Sequence, residues 1–473
     1  MLRNESRSKL LRGVICVAVG LIIWFLPPPG ELEPVAMHLL GIFIATILGL
    51  ILQPLPQGAV VITAVALTAI TNTLSIGDAL NGFKDSTVWL IVSAFLFARG
   101  LIKTGLGRRI SFMLVRAFGK STLGLGYALA LSDTVLAPAT PSNTARAGGI
   151  LFPIVRALCS SMDSEPGPTA RRVGQYLMYN SFQICCITSA VFLTGVAPNS
   201  LIATLAKENF GYEVTWLGWL WAALLPGIIS IAILPYIFYK MFDPELKSSP
   251  EAPALASKEL EKMGPMTAGE KGMLAVFVLT LILWATAQWT GLNATAIALL
   301  GVAILLIIGV IEWQDVLAEK GGWDALIWFG GLVGLASGLS KVGLIGWLAS
   351  VLEASLSSIT SWFLAFILVV IAYKYAHYFI ASMTAHATAF FVPLGLVAIS
   401  AGAPVELVVL VLGFFNSLNA TMTHYGTGPA PIYFGAGYID QGTWWKWGFV
   451  TSVINLVVWL GAGSLWWKII GLW

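Results

Sequence analysis

The sequence predicts an all-α polytopic membrane protein, built as an inverted repeat with two re-entrant helical hairpins and about 11 transmembrane helices. Three observations carry this. Hydrophobic residues make up 58% of the 473 and charged ones only 10%, where soluble domains carry about 25% charged residues. Apolar runs such as "LLGIFIATILGLIL" and "TAIALLGVAILLIIGVI" recur, and a span needs ~20 such residues. Finally, a polar, helix-breaking motif interrupts the apolar chain twice.

The elements follow in order. Residues 1–35 read as a retained N-terminal helix, because the run "GVICVAVGLIIWFL" ends in "LPPPG" with no small-residue cleavage site. Arg3, Arg7, Lys9 and Arg12 outweigh Glu5, which puts the amino terminus in the cytoplasm, and Glu31 and Glu33 put the next connection outside. Residues 36–240 form the first repeat, with a cytoplasm-entered hairpin near 122–157. Before that hairpin, "GRRISFMLVRAFGK" sets Arg108, Arg109, Arg116 and Lys120 opposite an apolar face, which predicts a helix lying on the cytoplasmic surface. Arg171 and Arg172 fall on the same side. Residues 241–271 are polar and read as a cytoplasmic linker. Residues 272–473 form the second repeat, with a hairpin near 360–400 entered from outside. Lys374 and His377 in its approach read as interfacial anchors, and the tryptophans of "TWLGWLW", "TWWKWG" and "LWW" as an aromatic belt.

The repeat is legible without gaps. "PSNTARAGGILFP" (141–153) aligns with "ASMTAHATAFFVP" (381–393), so that Ser142 meets Ser382, Thr144 meets Thr384 and Arg146 meets His386. "GLIKTGL" aligns with "GLSKVGL" upstream and "TGVAP" with "TGPAP" downstream, at offsets of 238, 240 and 233 residues. Paired interrupted segments in oppositely oriented halves are the signature of secondary transporters. Backbone groups freed by Pro and Gly must line a polar cavity, and helix amino-terminal ends facing that cavity suit an anion. Ser142, Asn143 and Thr144 are therefore candidate anion ligands, with Ser382 and Thr384 as the second set. Arg146 has two readings, a charge beside the anion or a partner of Asp133 that orients the hairpin.

Other classes fit poorly. A net charge of +3 with no basic-aromatic stripe gives no sign of nucleic-acid binding. The four cysteines have no metal-ligand spacing. The chain has neither Gly-x-Ser-x-Gly nor His-Glu-x-x-His, so an enzyme is not expected. No cofactor is expected either.

The "SNT" tip repeated as "SMT", with "LAPATPSNTARAGG", "RRVGQYLMY" and "THYGTGPAPIYFGAGY", resembles the divalent-anion:sodium symporter family. The branch it resembles holds citrate/succinate, tartrate/succinate and 2-oxoglutarate/malate antiporters. The resemblance implies a homodimer in the lipid bilayer that moves di- or tricarboxylates by an elevator mechanism. It carries substrate contacts onto the unwound breaks, at Gly195 and Asn199 and at Thr427, Gly428 and Pro429. The sequence departs from the family at Met383, which replaces the second asparagine. Arg146, His386 and His424 then read as charge-compensating groups standing in for sodium, which favours exchange over sodium-coupled symport. No resident metal is expected. With no Ser/Arg-rich transit segment, a bacterial inner membrane is favoured.

Overall fold

Capping hydroxyls, prolines and glycines punctuate the helices of the computed structural model, which describes residues 2–356 and 361–473. The side chains of Arg3, Glu5 and Arg7, part of the terminal charge count, and residue 360 of the second hairpin lie outside the described residues. Helix α1 spans Leu2–Trp24. A series follows: α2 Pro34–Leu52, α3 Gln57–Ile70, α4 Ile76–Ala79, α5 Ser86–Thr104, α6 Leu106–Phe118, α7 Thr122–Leu136, α8 Phe152–Ser161, α9 Gly174–Val191, α10 Ala197–Phe210 and α11 Trp216–Phe242. After α12, Glu251–Met263, a second series runs α13 Ala268–Thr290, α14 Ala294–Ile307, α15 Trp313–Ala318, α16 Lys320–Lys341, α17 Leu344–Leu356, α18 Trp362–Ala376, α19 Met383–Ser400, α20 Val405–Leu418, α21 Pro429–Gly435, α22 Gln441–Leu456 and α23 Gly463–Ile469.

The two series share lengths as well as order. Helices α3 and α14 have 14 residues each, α6 and α17 have 13, and α7 and α18 have 15. The same local chemistry starts equivalent helices. Ser121 Oγ accepts from Gly124 N (3.1 Å) to open α7, and Ser361 Oγ accepts from Leu364 N (3.4 Å) to open α18. Among the described residues there is no strand, and eight helices are long and apolar enough to cross a membrane, with three shorter apolar ones beside them. The protein is an all-α polytopic membrane protein.

By its contacts the chain forms two compact units, each drawing elements from both series. Unit 1 comprises residues 1–92, 200–214 and 320–413; unit 2 comprises 93–199, 215–319 and 414–473. In unit 1, α16 presents small residues to the α4 segment. A Cβ on Gly82 would lie 2.0 Å from Gly330 O, and one on Gly334 would lie 2.4 Å from Ala79 O, so only glycine permits this backbone approach. In unit 2, α9 is buried over almost its whole length and packs on α7, α8 and α11. Such all-round burial marks a central helix.

Three expectations are corrected in unit 2. Trp219, Trp444 and Trp467 are fully buried rather than set in a belt. Trp219 donates its indole N–H to Ala190 O (2.9 Å) and Trp467 to Ala222 O (2.9 Å), which lets a polar ring tip sit inside the core. The linker is also no plain loop. Residues 245–249 lie along the entry to α7, with Thr122 N donating to Lys247 O (3.1 Å) and Ser249 N to Lys120 O (3.0 Å), and Glu245 N reaches Arg171 O (3.2 Å). Helix α12 then packs on α6. Its Glu259 bonds Lys262 and Arg108, and these cations hold the carboxyl below its ordinary range.

Arg109, expected on the membrane surface, is only 6% exposed. It binds Glu270 Oε1 (2.5 Å), Gly264 O (2.9 Å) and Met263 O (3.3 Å), so it anchors the linker to α13. Replacing Arg109 with Ala leaves Glu270 buried without its charge partner, a loss of about 3–5 kcal/mol for such pairs. The expected result is a lower melting temperature in detergent and faster proteolysis between residues 243 and 264. An unchanged melting temperature would contradict the anchor.

Candidate functional site

The first polar motif lies wholly in unit 2, and two hydroxyls and one backbone N–H pair carbonyls at its helix break. A short 3-10 turn, Ala137–Ala139, ends the first arm of the hairpin. Leu136 O accepts from Thr140 Oγ1 (2.9 Å), Pro138 O from Thr194 Oγ1 (2.6 Å), and Pro141 O from Ala197 N (2.9 Å). Each of these would otherwise be an unpaired acceptor at membrane depth. Ser142 restarts the chain as a cap, its Oγ accepting from Ala145 N (3.2 Å) while its carbonyl accepts from Arg146 N (2.9 Å). That cap uses the oxygen's lone pair and leaves the O–H to donate.

The second arm begins wide. Thr144–Leu151 is π-wound, and Phe152 N bonds back five residues to Ala147 O. Gly148, Gly149 and the missing N–H of Pro153 permit this winding, and π segments are frequent at functional sites.

The tip meets the second break within the same unit. Asn143 Nδ2 donates to Thr427 Oγ1 (2.7 Å), both side chains nearly buried. Thr144 and Gly428 are exposed beside them, and a Cβ on Gly428 would lie 2.0 Å from Thr144 Oγ1. Pro429, buried, opens α21 at its first turn. Unit 2 thus brings Ser142, Asn143, Thr144, Thr427, Gly428 and Pro429 to one place, a rim of hydroxyl and amide donors without a free charge in it. Such neutral donors suit an anion and carry little desolvation cost.

Arg146 is not part of that rim. It is fully buried, and each of its N–H groups has a protein acceptor. Nε donates to Asp133 Oδ1 (3.0 Å), Nη1 to Thr140 O (2.9 Å) and Gly195 O (2.8 Å), and Nη2 to Ser189 Oγ (2.9 Å) and Thr188 Oγ1 (3.3 Å). Of its two readings, the geometry takes the partner of Asp133. Gly195 and Asn199 are likewise buried braces. Asn199 Nδ2 donates to Ser189 O (2.6 Å) and Phe192 O (3.0 Å), and its Oδ1 accepts from Ser417 Oγ (3.2 Å), which occupies the amide that the resemblance offered to a substrate. His424 Nδ1 accepts from Trp445 Nε1 (2.9 Å), and an accepting nitrogen carries no proton. The imidazole is braced among Tyr425, Phe434 and Trp445.

The second motif lies in unit 1. Ser382 repeats the cap of Ser142, its Oγ accepting from Ala385 N (3.3 Å), and Gln57 Nε2 approaches the same oxygen at 3.5 Å. Thr384 is 8% exposed, and its carbonyl accepts from Thr388 Oγ1 (2.7 Å). His386 is fully buried, its ring 4.4 Å from Tyr373 and 4.9 Å from His377. Lys374 and His377, expected as interfacial anchors, are fully buried too. His377, just past the end of α18, meets His386 of the hairpin arm α19, their ring centroids 4.9 Å apart.

The family model described as "Sodium:sulfate symporter transmembrane region" matches residues 7–473. The chain belongs to this family. It is a membrane transporter and not an enzyme. Curated relatives agree over nearly the full length. "Putative malate transporter YflS" of Bacillus subtilis is 49% identical over 99% of this chain and 98% of its own. "Dicarboxylate transporter 1, chloroplastic" of Spinacia oleracea is 45% identical over 100% of this chain and 83% of its own. "Inner membrane protein YbhI" of Escherichia coli is 38% identical over 98% of both. Among solved structures, the Alcanivorax borkumensis YdaH transporter matches with a TM-score of 0.60, covering 86% of this chain and 89% of its own at 14% identity. That likeness concerns the fold alone.

In this member of the sodium:sulfate symporter family, several functional neighbours escaped the motif. Thr188, Ser189 and Cys185 face Arg146 from α9, and "CCITSAV" held a signal in its small polar pair inside an apolar run. Gln57 was signalled only by its place at the first turn of an otherwise apolar helix. Among the described residues no group of three or more His, Cys, Asp or Glu side chains is arranged to hold a metal ion.

Proposed function

We propose that this protein carries C4 or C5 dicarboxylates, of the 2-oxoglutarate, malate and succinate type, across the membrane by exchange. The observation that carries the proposal is the rim of Ser142, Asn143 and Thr144 against Thr427 and Gly428, which offers neutral donors to a carboxylate. The names of the relatives, dicarboxylate and malate transporters over the whole chain, support the substrate class. Ser382 and Thr384 are proposed as further substrate contacts. A bacterial inner membrane, a cytoplasmic amino terminus, a homodimer and an elevator-type movement complete the reading. The bacterial relatives and the charge count along the chain support the first two.

One observation favours a second reading, sodium-coupled symport. Arg146 is neutralised by Asp133, so it supplies no fixed cation in place of sodium. A dianion among neutral donors then calls for a mobile cation beside it. Uptake of labelled 2-oxoglutarate into proteoliposomes decides. Uptake that needs internal malate and ignores replacement of sodium by choline establishes exchange. Uptake into empty vesicles driven by a sodium gradient establishes symport, and no saturable uptake under either condition removes the dicarboxylate reading.

A further inference from the structure

We propose that Arg146 is a positioning residue, a clamp that holds the hairpin tip and the break between α9 and α10 as one rigid carboxylate cradle without touching the substrate. The proposal rests on reading the Ser142–Thr144 tip as an anion site.

Geometry makes the case. The two acceptors of Nη1, Thr140 O and Gly195 O, belong to two different breaks in the chain, 2.9 and 2.8 Å away. One nitrogen therefore ties the end of the hairpin's first arm to the turn that precedes α10. Pro141 O accepting from Ala197 N and Pro138 O accepting from Thr194 Oγ1 run between the same two segments, so the clamp has three independent stitches. The other two nitrogens fix the fork itself, Nε against Asp133 on the first arm and Nη2 against Thr188 and Ser189 on α9. Asp133 is held in turn by the Thr188 hydroxyl. Only a planar guanidinium, with five donors in fixed directions, can serve all of these acceptors together; a lysine ammonium has three donors at a single point.

The clamp is electrically silent. Arg146 and Asp133 are 0% and 1% exposed and 3.0 Å apart, so the pair carries no net charge to the rim. It contributes to binding through the positions of Asn143 and Thr144, three and two residues before it. The second motif holds its hairpin by other means. At the same offset of 240 residues, Tyr373 stands for Asp133 and His386 for Arg146, and these two meet as rings with centroids 4.4 Å apart. The Arg–Asp pair itself is therefore not repeated at the matching positions of the second motif, where the asparagine is not kept either.

The test separates a clamp from a ligand by the sign of one effect. In proteoliposomes with labelled 2-oxoglutarate, Asp133→Asn is expected to raise KM about tenfold, because the fork loses its anchor and the tip its position. If Arg146 instead bound the anion, the same change would release its charge and lower KM. Arg146→Lys is expected to raise KM by about the same factor with the maximal rate within about threefold of wild type. Single changes here leave a buried charge alone, so two gentler variants secure the result. The neutral pair Asp133→Asn with Arg146→Gln leaves no unpaired charge, and Ser189→Ala removes one 2.9 Å acceptor and keeps the ion pair. Both are expected to raise KM, the second by about threefold.

A lowered KM in Asp133→Asn overturns the clamp, and so does a wild-type KM in Ser189→Ala. Asn143→Ala, run alongside, separates the two ideas. If it is inactive while the Arg146 and Ser189 variants keep the wild-type KM, only the clamp fails. If Asn143→Ala transports at the wild-type rate, the site itself fails.

Discussion

Asn143→Ala is expected to insert, purify and melt like the parent protein while its initial rate of dicarboxylate uptake falls between about tenfold and a hundredfold. The range follows from a hydrogen bond to a charged group, worth about 1.5–3 kcal/mol. Stability is expected to hold because Asn143 and Thr427 form a neutral pair, and losing a neutral hydrogen bond costs only about 1 kcal/mol. Binding is expected to suffer more, for two reasons. The Asn143 amide is the proposed anion donor at the tip, and its bond to Thr427 keeps the tip against the second break, beside Gly428. Asn143→Asp should be at least as damaging, because a carboxylate beside a carboxylate repels it. Transport assays with protein quantified in the vesicles check both variants. Wild-type rates in either would remove Asn143 from the site and, with it, the main support for a carboxylate at this tip.

Much of this architecture could be read from the chain because the physics that specifies it is local. Helix breaks at Pro138–Pro141 and Gly426–Pro429 announce themselves through residues that cannot continue a helix. The caps at Ser121, Ser142, Ser361 and Ser382 sit at equal spacing in the two halves, so the repeat is visible both as letters and as hydrogen bonds. Partners that come from far along the chain were not legible. That Arg146 spends every N–H on Asp133, Thr140, Thr188, Ser189 and Gly195 depends on how α9 packs beside the hairpin, which no spacing encodes. An arginine in an apolar stretch looks the same whether it faces a ligand or a buried acid. Arg109 misled for a related reason. Helical periodicity places it on the polar face of α6 with exposed Arg108 and Arg116, but at Arg109 itself the linker and Glu270 cover that face. The tryptophans failed in the opposite direction, since a ring at a span end satisfies the belt pattern equally well when a backbone carbonyl buries it.

Gly428→Ala is the second change with a large expected effect, and it tests the contact between the tip and the second break directly. The backbone at Gly428 is ordinary right-handed helix, with φ −51° and ψ −42°, so alanine fits the local conformation and the protein should fold. The obstacle is the neighbour. A new Cβ would stand 2.0 Å from Thr144 Oγ1 and 3.2 Å from Thr144 Cβ, so the tip has to withdraw or Thr144 has to turn away. Either movement strains the Asn143–Thr427 bond one residue off, and KM for the dicarboxylate is expected to rise about tenfold or more. Thr144→Ala alone should raise KM less, because it removes one exposed hydroxyl and leaves the tip in place. The two changes share one contact and should not add. With the Thr144 hydroxyl gone, alanine at 428 meets only a tight methyl contact, and the double variant is expected to lie close to Thr144→Ala, a coupling of about 1–2 kcal/mol. Fully additive losses would mean that alanine at 428 acts on something other than the hairpin tip, and the tip and the second break would then have to be treated as separate parts.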